Sequence, residues 1–197
     1  RCDLILIQSR GFQQSIIQLG VNENKIKYFP NWAENFFKPL DKKLPETQRI
    51  DLPGGDSFKI MFAGNIGAAQ CFDIILEAAI KLKSKKISWI ILGDGRRKKW
   101  LDEQIEIHSL QSNIFTLGKK PVEDMPFYYS LADVMLVSLE PHPVFSAWIP
   151  GKVQSYMACG KPILALLSGA GAEAIKESRS GFAIESGKAD ELISKVE

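Results

Sequence analysis

The side chain best placed to do chemistry in this sequence is Lys152, because it follows a proline and a glycine that open a short helix. Pro150 and Gly151 are unfavourable inside a helix, and Gly160 marks the point at which this one stops. The first backbone N–H groups of a helix have no partner within it, and the helix dipole favours negative charge in front of them. We therefore expect Lys152 and the N–H groups at Gly151 to bind an anion, most commonly a phosphate.

Glycines also follow a series of short apolar runs, each of which predicts a buried strand. The runs at 59–63, 87–92, 113–117 and 133–137 alternate with helical patterns, which predicts an α/β fold with a Rossmann-like, doubly wound parallel sheet. In such a sheet, the loops after the carboxyl ends of the strands meet at one edge. The glycines expected at this edge are Gly64, Gly67, Gly93, Gly95, Gly118 and Gly151. With lysines among them, these loops favour a phosphorylated ligand.

Composition and motifs exclude several other classes of protein. A net charge of +2, with no basic face carrying interleaved aromatics, argues against nucleic-acid binding. The three cysteines form neither a disulfide framework nor a metal-ligand pattern, which fits a reducing cytosol. The sequence lacks the phosphate loop of nucleoside-triphosphate hydrolases, and the loop at 64–69 lacks the spaced glycines of dinucleotide-binding folds. No run of the printed sequence has the length and apolarity of a membrane span.

Several motifs in order carry a resemblance to a known family. They are Asp3–Ser9, Phe62-Ala-Gly-Asn-Ile-Gly67, Leu92-Gly-Asp-Gly95, Leu117-Gly118, Tyr129 to Asp133, and Tyr156-Met-Ala-Cys-Gly-Lys-Pro162. In this order and spacing, the chain resembles the carboxyl-terminal, donor-binding domain of a GT-B retaining glycosyltransferase of the family 4 type. The Gly-Asn-Ile-Gly loop and the segment 150–157 are most similar to N-acetylfucosaminyltransferase-like proteins of O-antigen and capsule synthesis.

The resemblance implies an activity and a domain organisation. The sugar would pass from a nucleotide-diphosphate donor, UDP-linked, to a glycan or lipid-linked acceptor held by a missing amino-terminal domain. Residues 1–35 would be the end of that domain and the crossover, 36–57 a linker, and 58–197 the nucleotide-sugar-binding domain. The chain starts mid-strand without Met, so we expect it to be a fragment, inactive alone, of a cytoplasmic enzyme with peripheral contact to the inner face of the membrane.

The resemblance also implies the roles of individual residues. Lys152 would be the catalytic residue, stabilising the leaving diphosphate electrostatically, and no metal and no cofactor beyond the donor would be needed. The base would lie near Leu117, Gly118 and Lys119 and the strand end at Gly93 and Gly95. The ribose would meet Ser155. The diphosphate would lie against Pro150, Gly151 and the loop of Gly64, Asn65 and Gly67.

Departures from the family pattern keep alternatives open. Ala147 and Ser155 stand where the family has two glutamates, and Asn65 and Gln70 where it has an arginine and a lysine. A nucleotide-sugar epimerase of the same architecture and a non-catalytic nucleotide-sugar-binding module are therefore alternatives. Phe145 and Trp148 could wall the sugar site or cover the interdomain face, and His142 and the arginines at 96 and 97 are expected to be surface residues.

Overall fold

The computed structural model describes residues 2–40, 52–185 and 187–197. Eight strands and eight α-helices lie in this part of the chain. The strands are β1 (Ile5–Ile7), β2 (Ile26–Tyr28), β3 (Phe58–Ala63), β4 (Ile87–Leu92), β5 (Ile114–Gly118), β6 (Val134–Ser138), β7 (Ile163–Leu166) and β8 (Gly181–Ile184). The helices are α1 (Gln13–Gln18), α2 (Phe72–Lys81), α3 (Lys98–Ile107), α4 (Met125–Leu131), α5 (Pro143–Ser146), α6 (Gly151–Ala158), α7 (Ala170–Glu177) and α8 (Ala189–Val196).

Six of these strands form one fully parallel sheet in the order β5-β4-β3-β6-β7-β8. The predicted Rossmann-like, doubly wound α/β fold is therefore confirmed. Strand β3 lies at the centre and pairs with β4 from Phe58↔Ile87 to Ala63↔Leu92. Every residue of β4 is buried, as expected for a parallel strand covered on both faces.

The core is divided between the two faces of this sheet, because successive side chains of a strand point to opposite sides. Ile60 and Phe62 pack on one face, together with α2, α3 and α8. Met61 and Ala63 pack on the other, together with α4, α6 and α7. Helix α6, which carries Lys152, is thereby held against the second face beside the carboxyl end of β3.

The amino-terminal residues form a separate two-stranded parallel sheet of β1 and β2, paired from Ile5↔Ile26 to Ile7↔Tyr28. After Ser9, a 3₁₀ turn at Arg10–Phe12 leads into α1. The Ser9 hydroxyl accepts a hydrogen bond of 3.1 Å from the Gly11 N–H, so it caps this turn.

The predicted linker at 36–57 includes residues 41–51, which lie outside the described residues. On either side of them, Phe37 and Leu52 are each 8% exposed and belong to the core of the second face. The ring of Phe37 stacks on that of Tyr129 at 6.0 Å between centroids. Both ends of the predicted linker are therefore attached to the sheet domain, and the boundary itself stays a prediction.

Helix α5 was not predicted from the sequence, in which prolines stand on both sides of His142. His142 is extended and its Nδ1 accepts a hydrogen bond of 3.2 Å from the Val144 N–H, while Pro143 occupies the first helical position. A capping side chain followed by proline starts a helix, so the two prolines did not by themselves indicate loop. Within the described ranges, no helix is long and apolar enough to cross a membrane.

Candidate functional site

The loops after β3, β4 and β5 are joined at one edge of the sheet by backbone hydrogen bonds. The Gly64 N–H donates to the Leu92 carbonyl at 2.8 Å, and the Gly93 N–H donates to the Gly118 carbonyl at 2.9 Å. One turn further on, the Ile66 N–H donates to the Asp94 carbonyl at 2.8 Å. The glycine loops thus lie side by side at the carboxyl edge of the sheet, where the sequence analysis predicted them.

Two of these glycines are required by close backbone approach. At Gly93, where φ is 141°, an added Cβ would lie 1.8 Å from the Gly64 carbonyl oxygen. At Gly95, an added Cβ would lie 2.3 Å from the carbonyl oxygen of Ile66. No side chain can be accommodated at either position without separating the loops. Glycine at these two positions keeps the loops in contact.

Helix α6 is attached to the end of β3 by a buried tyrosine. The Tyr156 hydroxyl accepts from the Ala63 N–H at 3.2 Å and donates to the Ala63 carbonyl at 3.3 Å. Burial raises the pKa of Tyr156 well above its ordinary value of 10, so the hydroxyl keeps the proton that it donates. One turn before this anchor, Lys152 is therefore held facing the loop that begins at Gly64.

The ammonium of Lys152 lies between a backbone loop and an aromatic ring. Its Nζ is 4.0 Å from the centroid of the Phe62 ring and 2.8 Å from the place where a Cβ on Gly64 would be. In the described part of the chain, no carboxylate pairs with it. Desolvation by burial lowers the pKa of Lys152 from 10.5 to about 8. At neutral pH the site thus holds a desolvated cation without a counter-charge, which an anion would stabilise.

Two adjoining cavities lie along this edge of the sheet and share Gly64, Val122 and Met125 in their walls. The first has a volume of about 510 Å³ and is also lined by Asn65, Leu92, Gly93, Asp94, Gly95, Lys119 and Lys120. The second has a volume of about 560 Å³ and is also lined by Asn31, Trp32, Glu34, Phe37, Ala63, Tyr129, Gly151, Lys152 and Ser155. Together they form one continuous cleft whose two parts are lined by different residues.

Most of the predicted site residues line this cleft. Gly64, Asn65, Gly93, Gly95 and Lys119 line the first cavity, and Gly64, Gly151, Lys152 and Ser155 line the second. Gly151 is exposed, and no described atom lies within 4 Å of a Cβ built on it, so the start of α6 has open space beside it.

Four predicted residues are not among the described residues that line the two cavities. Pro150 is buried and caps α6, and the Gly67 N–H donates to the Gln70 side chain at 3.1 Å. Leu117 packs against the core of the second face. The Gly118 carbonyl accepts the hydrogen bond from the Gly93 N–H that joins the two loops. These four residues belong to the structure around the cleft and do not line it.

Sequence reasoning missed the part of the second cavity that comes from the crossover. Asn31, Trp32 and Glu34 follow β2 and reach the mouth of the cavity from a segment far away in sequence. The only local signal there is Pro30-Asn31, which ends the strand and says nothing about a site. Their role depends on the tertiary fold and could not be found from spacing.

The side chains of Arg97 and Trp148 have protein partners outside the cleft. Arg97 makes a bidentate ion pair with Asp73, at 2.7 and 3.0 Å, which lowers the pKa of that carboxyl, and stacks 3.5 Å above the Trp100 ring. With its amide oxygen facing Trp148, Gln8 accepts a hydrogen bond of 2.8 Å from the indole Nε1. This favours the interpretation that the aromatic loop around Trp148 covers the amino-terminal segment.

Among the described residues, no cluster of three or more His, Cys, Asp or Glu side chains is arranged to hold a metal ion. A cavity of about 690 Å³ lies between α7 and β8, and the described residues that line it include none of the predicted site residues.

The parallel sheet with a cleft at its carboxyl edge has the Rossmann-like fold of solved GT-B structures. The structure of Anabaena Alr3699/HepE in complex with UDP and glucose has a TM-score of 0.80 at 21% identity, over 98% of this chain and 52% of that chain. Sucrose-phosphate synthase from Thermosynechococcus elongatus has a TM-score of 0.78 at 16% identity, over 100% of this chain and 48% of that chain.

The family follows from the sequence comparison. Residues 57–197 match the family described as "Glycosyl transferases group 1", so the chain belongs to this family. The probable glycosyltransferase WbjE of Pseudomonas aeruginosa is 29% identical over 84% of this chain and 41% of its own length. WcaI of Escherichia coli K12, provisionally named a colanic acid biosynthesis glycosyl transferase, is 26% identical over 77% of this chain and 37% of its own length. The chain thus spans about two fifths of these relatives.

Proposed function

We propose that this chain is the donor-binding half of a retaining, metal-independent glycosyltransferase of the family 4 type. Its donor is a UDP-linked sugar, and its acceptor is a glycan or lipid-linked saccharide held by a second domain outside this chain. The reaction belongs to surface polysaccharide synthesis and takes place in the cytoplasm at the inner face of the membrane. Relatives named for colanic acid and teichuronic acid biosynthesis and a UDP-bound structure of the same fold support this proposal.

One observation carries the proposal: an unpaired lysine ammonium, the first residue of a helix and a glycine of the loop after β3 line the same cavity. Lys152, Gly151 and Gly64 all line it. A diphosphate placed there would receive backbone hydrogen bonds from the start of α6 and a charge-assisted bond from Lys152. The same groups would stabilise the additional negative charge that develops on the diphosphate as the sugar leaves.

The two ends of the cleft suit the two halves of a sugar nucleotide. In this proposal the base lies in the first cavity, between the loop after β4 and Lys119, and the diphosphate lies beside Gly64. The ribose lies in the second cavity near Ser155, whose hydroxyl donates to the Gly151 carbonyl at 3.3 Å and so keeps its lone pairs free to accept. The similarity of the 64–67 loop to N-acetylfucosaminyltransferase-like proteins makes N-acetylfucosamine the first sugar to test.

The test compares UDP and UMP binding to the 197-residue chain by NMR titration, which detects weak complexes. We expect UDP to bind more tightly than UMP, and Lys152→Met to weaken UDP binding by about 1.5–3 kcal/mol while leaving UMP binding nearly unchanged. Lys99→Met is the matched control, because Lys99 is 91% exposed on α3. Equal affinities for the two nucleotides, or equal losses in the two variants, would remove the diphosphate from this site.

A second candidate, a non-catalytic nucleotide-sugar-binding module, is favoured by one observation. Ala147 and Ser155 provide no carboxylate where the family has two. Incubation of the full-length protein with UDP-sugars and a lipid-linked acceptor separates the two functions. Release of UDP together with an extended glycan supports the transferase, whereas saturable binding without turnover supports the module.

A further inference from the structure

The segment from Phe29 to Phe37, here called the crossing segment, forms one wall of the second cavity. Its carboxyl end is firmly attached, because Phe37 is 8% exposed and its ring stacks on Tyr129 at an interplanar angle of 6°. The Phe37 N–H also donates to the Glu34 carbonyl at 2.9 Å, which closes a turn. The backbone of Glu34 is therefore held in place by a residue of the core.

Trp32 lies on this wall with most of its surface in solvent. Its indole is 70% exposed, and its ring contact is an edge-on approach to Phe29 at 5.8 Å between centroids. An indole of this kind at the mouth of a cavity offers a flat apolar surface on which a ring can stack. Its exposure is unfavourable in the free protein and would be relieved by a ligand.

Glu34 adds a negative charge to the cavity that Lys152 also lines. Of the described residues that line the second cavity, it is the one acidic side chain. Its carboxylate takes part in no hydrogen bond or ion pair in the described part of the chain. A carboxylate repels phosphate but accepts hydrogen bonds from hydroxyl groups, so the cavity holds one charged group suited to phosphate, Lys152, and one suited to hydroxyls, Glu34.

We propose that the crossing segment completes the donor site, with Glu34 accepting a hydrogen bond from one of the two vicinal hydroxyls of the ribose and Trp32 packing against the same sugar ring. This rests on the proposed function, which places a nucleotide diphosphate in the cleft. Ser155 has already donated its proton within α6 and can accept one hydroxyl. Glu34 provides the acceptor for the other, so the two ribose hydroxyls each have a partner.

The charge of Glu34 is tested by measuring the affinities of UDP and 2′,3′-dideoxy-UDP for the 197-residue chain by NMR titration. We expect Glu34→Gln to weaken UDP binding roughly tenfold and to leave dideoxy-UDP binding unchanged. Glu177→Gln is the matched control, since Glu177 is exposed on α7. Equal losses for both nucleotides, or no loss for either, would overturn the proposal.

Two further results are interpretable in the same experiment. A loss seen with a UDP-sugar but not with UDP would assign Glu34 to the transferred sugar and overturn its assignment to the ribose. If the wild-type chain bound neither nucleotide, the proposed function itself would fail, together with this inference.

Trp32 is tested by ¹⁹F NMR of protein labelled with 5-fluorotryptophan, which gives one signal for each of the four tryptophans. The variant Trp32→Phe identifies the Trp32 signal. We expect UDP to shift this signal and to leave unchanged that of Trp89, which is 1% exposed in the core. A Trp32 signal that does not move at saturating UDP would exclude contact with the nucleotide.

Discussion

Lys152 should make nucleotide binding dependent on pH above the range in which the terminal phosphate of the nucleotide titrates. Its pKa in the free protein is lowered to about 8, so the protonated fraction falls from about nine tenths at pH 7 to about one tenth at pH 9. A bound diphosphate beside the ammonium favours the charged form and returns the pKa towards its ordinary value. Binding therefore takes up a proton, and UDP affinity should fall about tenfold, or about 1.4 kcal/mol, between pH 7 and pH 9.

Isothermal titration calorimetry in buffers of different ionisation enthalpy measures this proton directly. At pH 8 we expect an uptake of about half a proton for each UDP bound, falling towards zero at pH 7. The terminal phosphate of UDP titrates near pH 6 and contributes little above pH 7. The variant Lys152→Met should show neither the proton uptake nor the loss of affinity, and Lys99→Met should behave as the wild type does.

The direction of the proton transfer on UDP binding makes this test decisive. A desolvated lysine that gains an anionic partner must take up a proton on binding. If affinity were constant between pH 7 and pH 9, or fell equally in Lys152→Met, Lys152 would not contact the diphosphate, and the electrostatic part of the proposed function would be wrong.

Unfolding measurements on Lys152→Met and on three further variants test the structural basis of the site. Lys152→Met should raise the free energy of unfolding of the ligand-free protein at pH 7 by about 1–3 kcal/mol, because the buried charge is unfavourable. This gap, measured by urea unfolding, should close as the pH rises from about 8 to 10.5, and a constant gap would contradict the pKa shift. Gly93→Ala should lower the same free energy of unfolding by about 3 kcal/mol, because the added Cβ would lie 1.8 Å from a backbone oxygen. Gly151→Ala is the control and should unfold like the wild type, because its added Cβ would have no described atom within 4 Å. Tyr156→Phe should lower the free energy of unfolding by about 1–2 kcal/mol and speed hydrogen exchange at the Ala63 amide, because it removes the hydroxyl that bonds to the Ala63 backbone. Unchanged exchange would mean that this hydroxyl does not hold α6.

The architecture of the sheet domain could be predicted from the sequence because its strands are apolar on both faces and punctuated by glycine. Strand β4 coincides with the predicted run at 87–92, and β3 begins one residue before the predicted run at 59–63. The edge at which the glycines gather also follows from the parallel order alone, since parallel strands all end on the same side.

The remaining features depend on contacts between distant parts of the chain. The tether between Tyr156 and Ala63 spans 93 residues, and the turn that places Glu34 at the cavity depends on the burial of Phe37. Neither contact leaves a local pattern in the sequence. The lowered pKa of Lys152 has the same origin, because it is caused by desolvation that only the assembled fold produces.

The most direct test of the central claim is a crystal structure of the 197-residue chain with bound UDP. We predict diphosphate oxygens within hydrogen-bonding distance of the Gly151 N–H and of Lys152 Nζ, with the nucleotide lying along the cleft beside Gly64. A nucleotide bound in the cavity between α7 and β8, or bound in the cleft with its phosphates turned away from α6, would contradict the account.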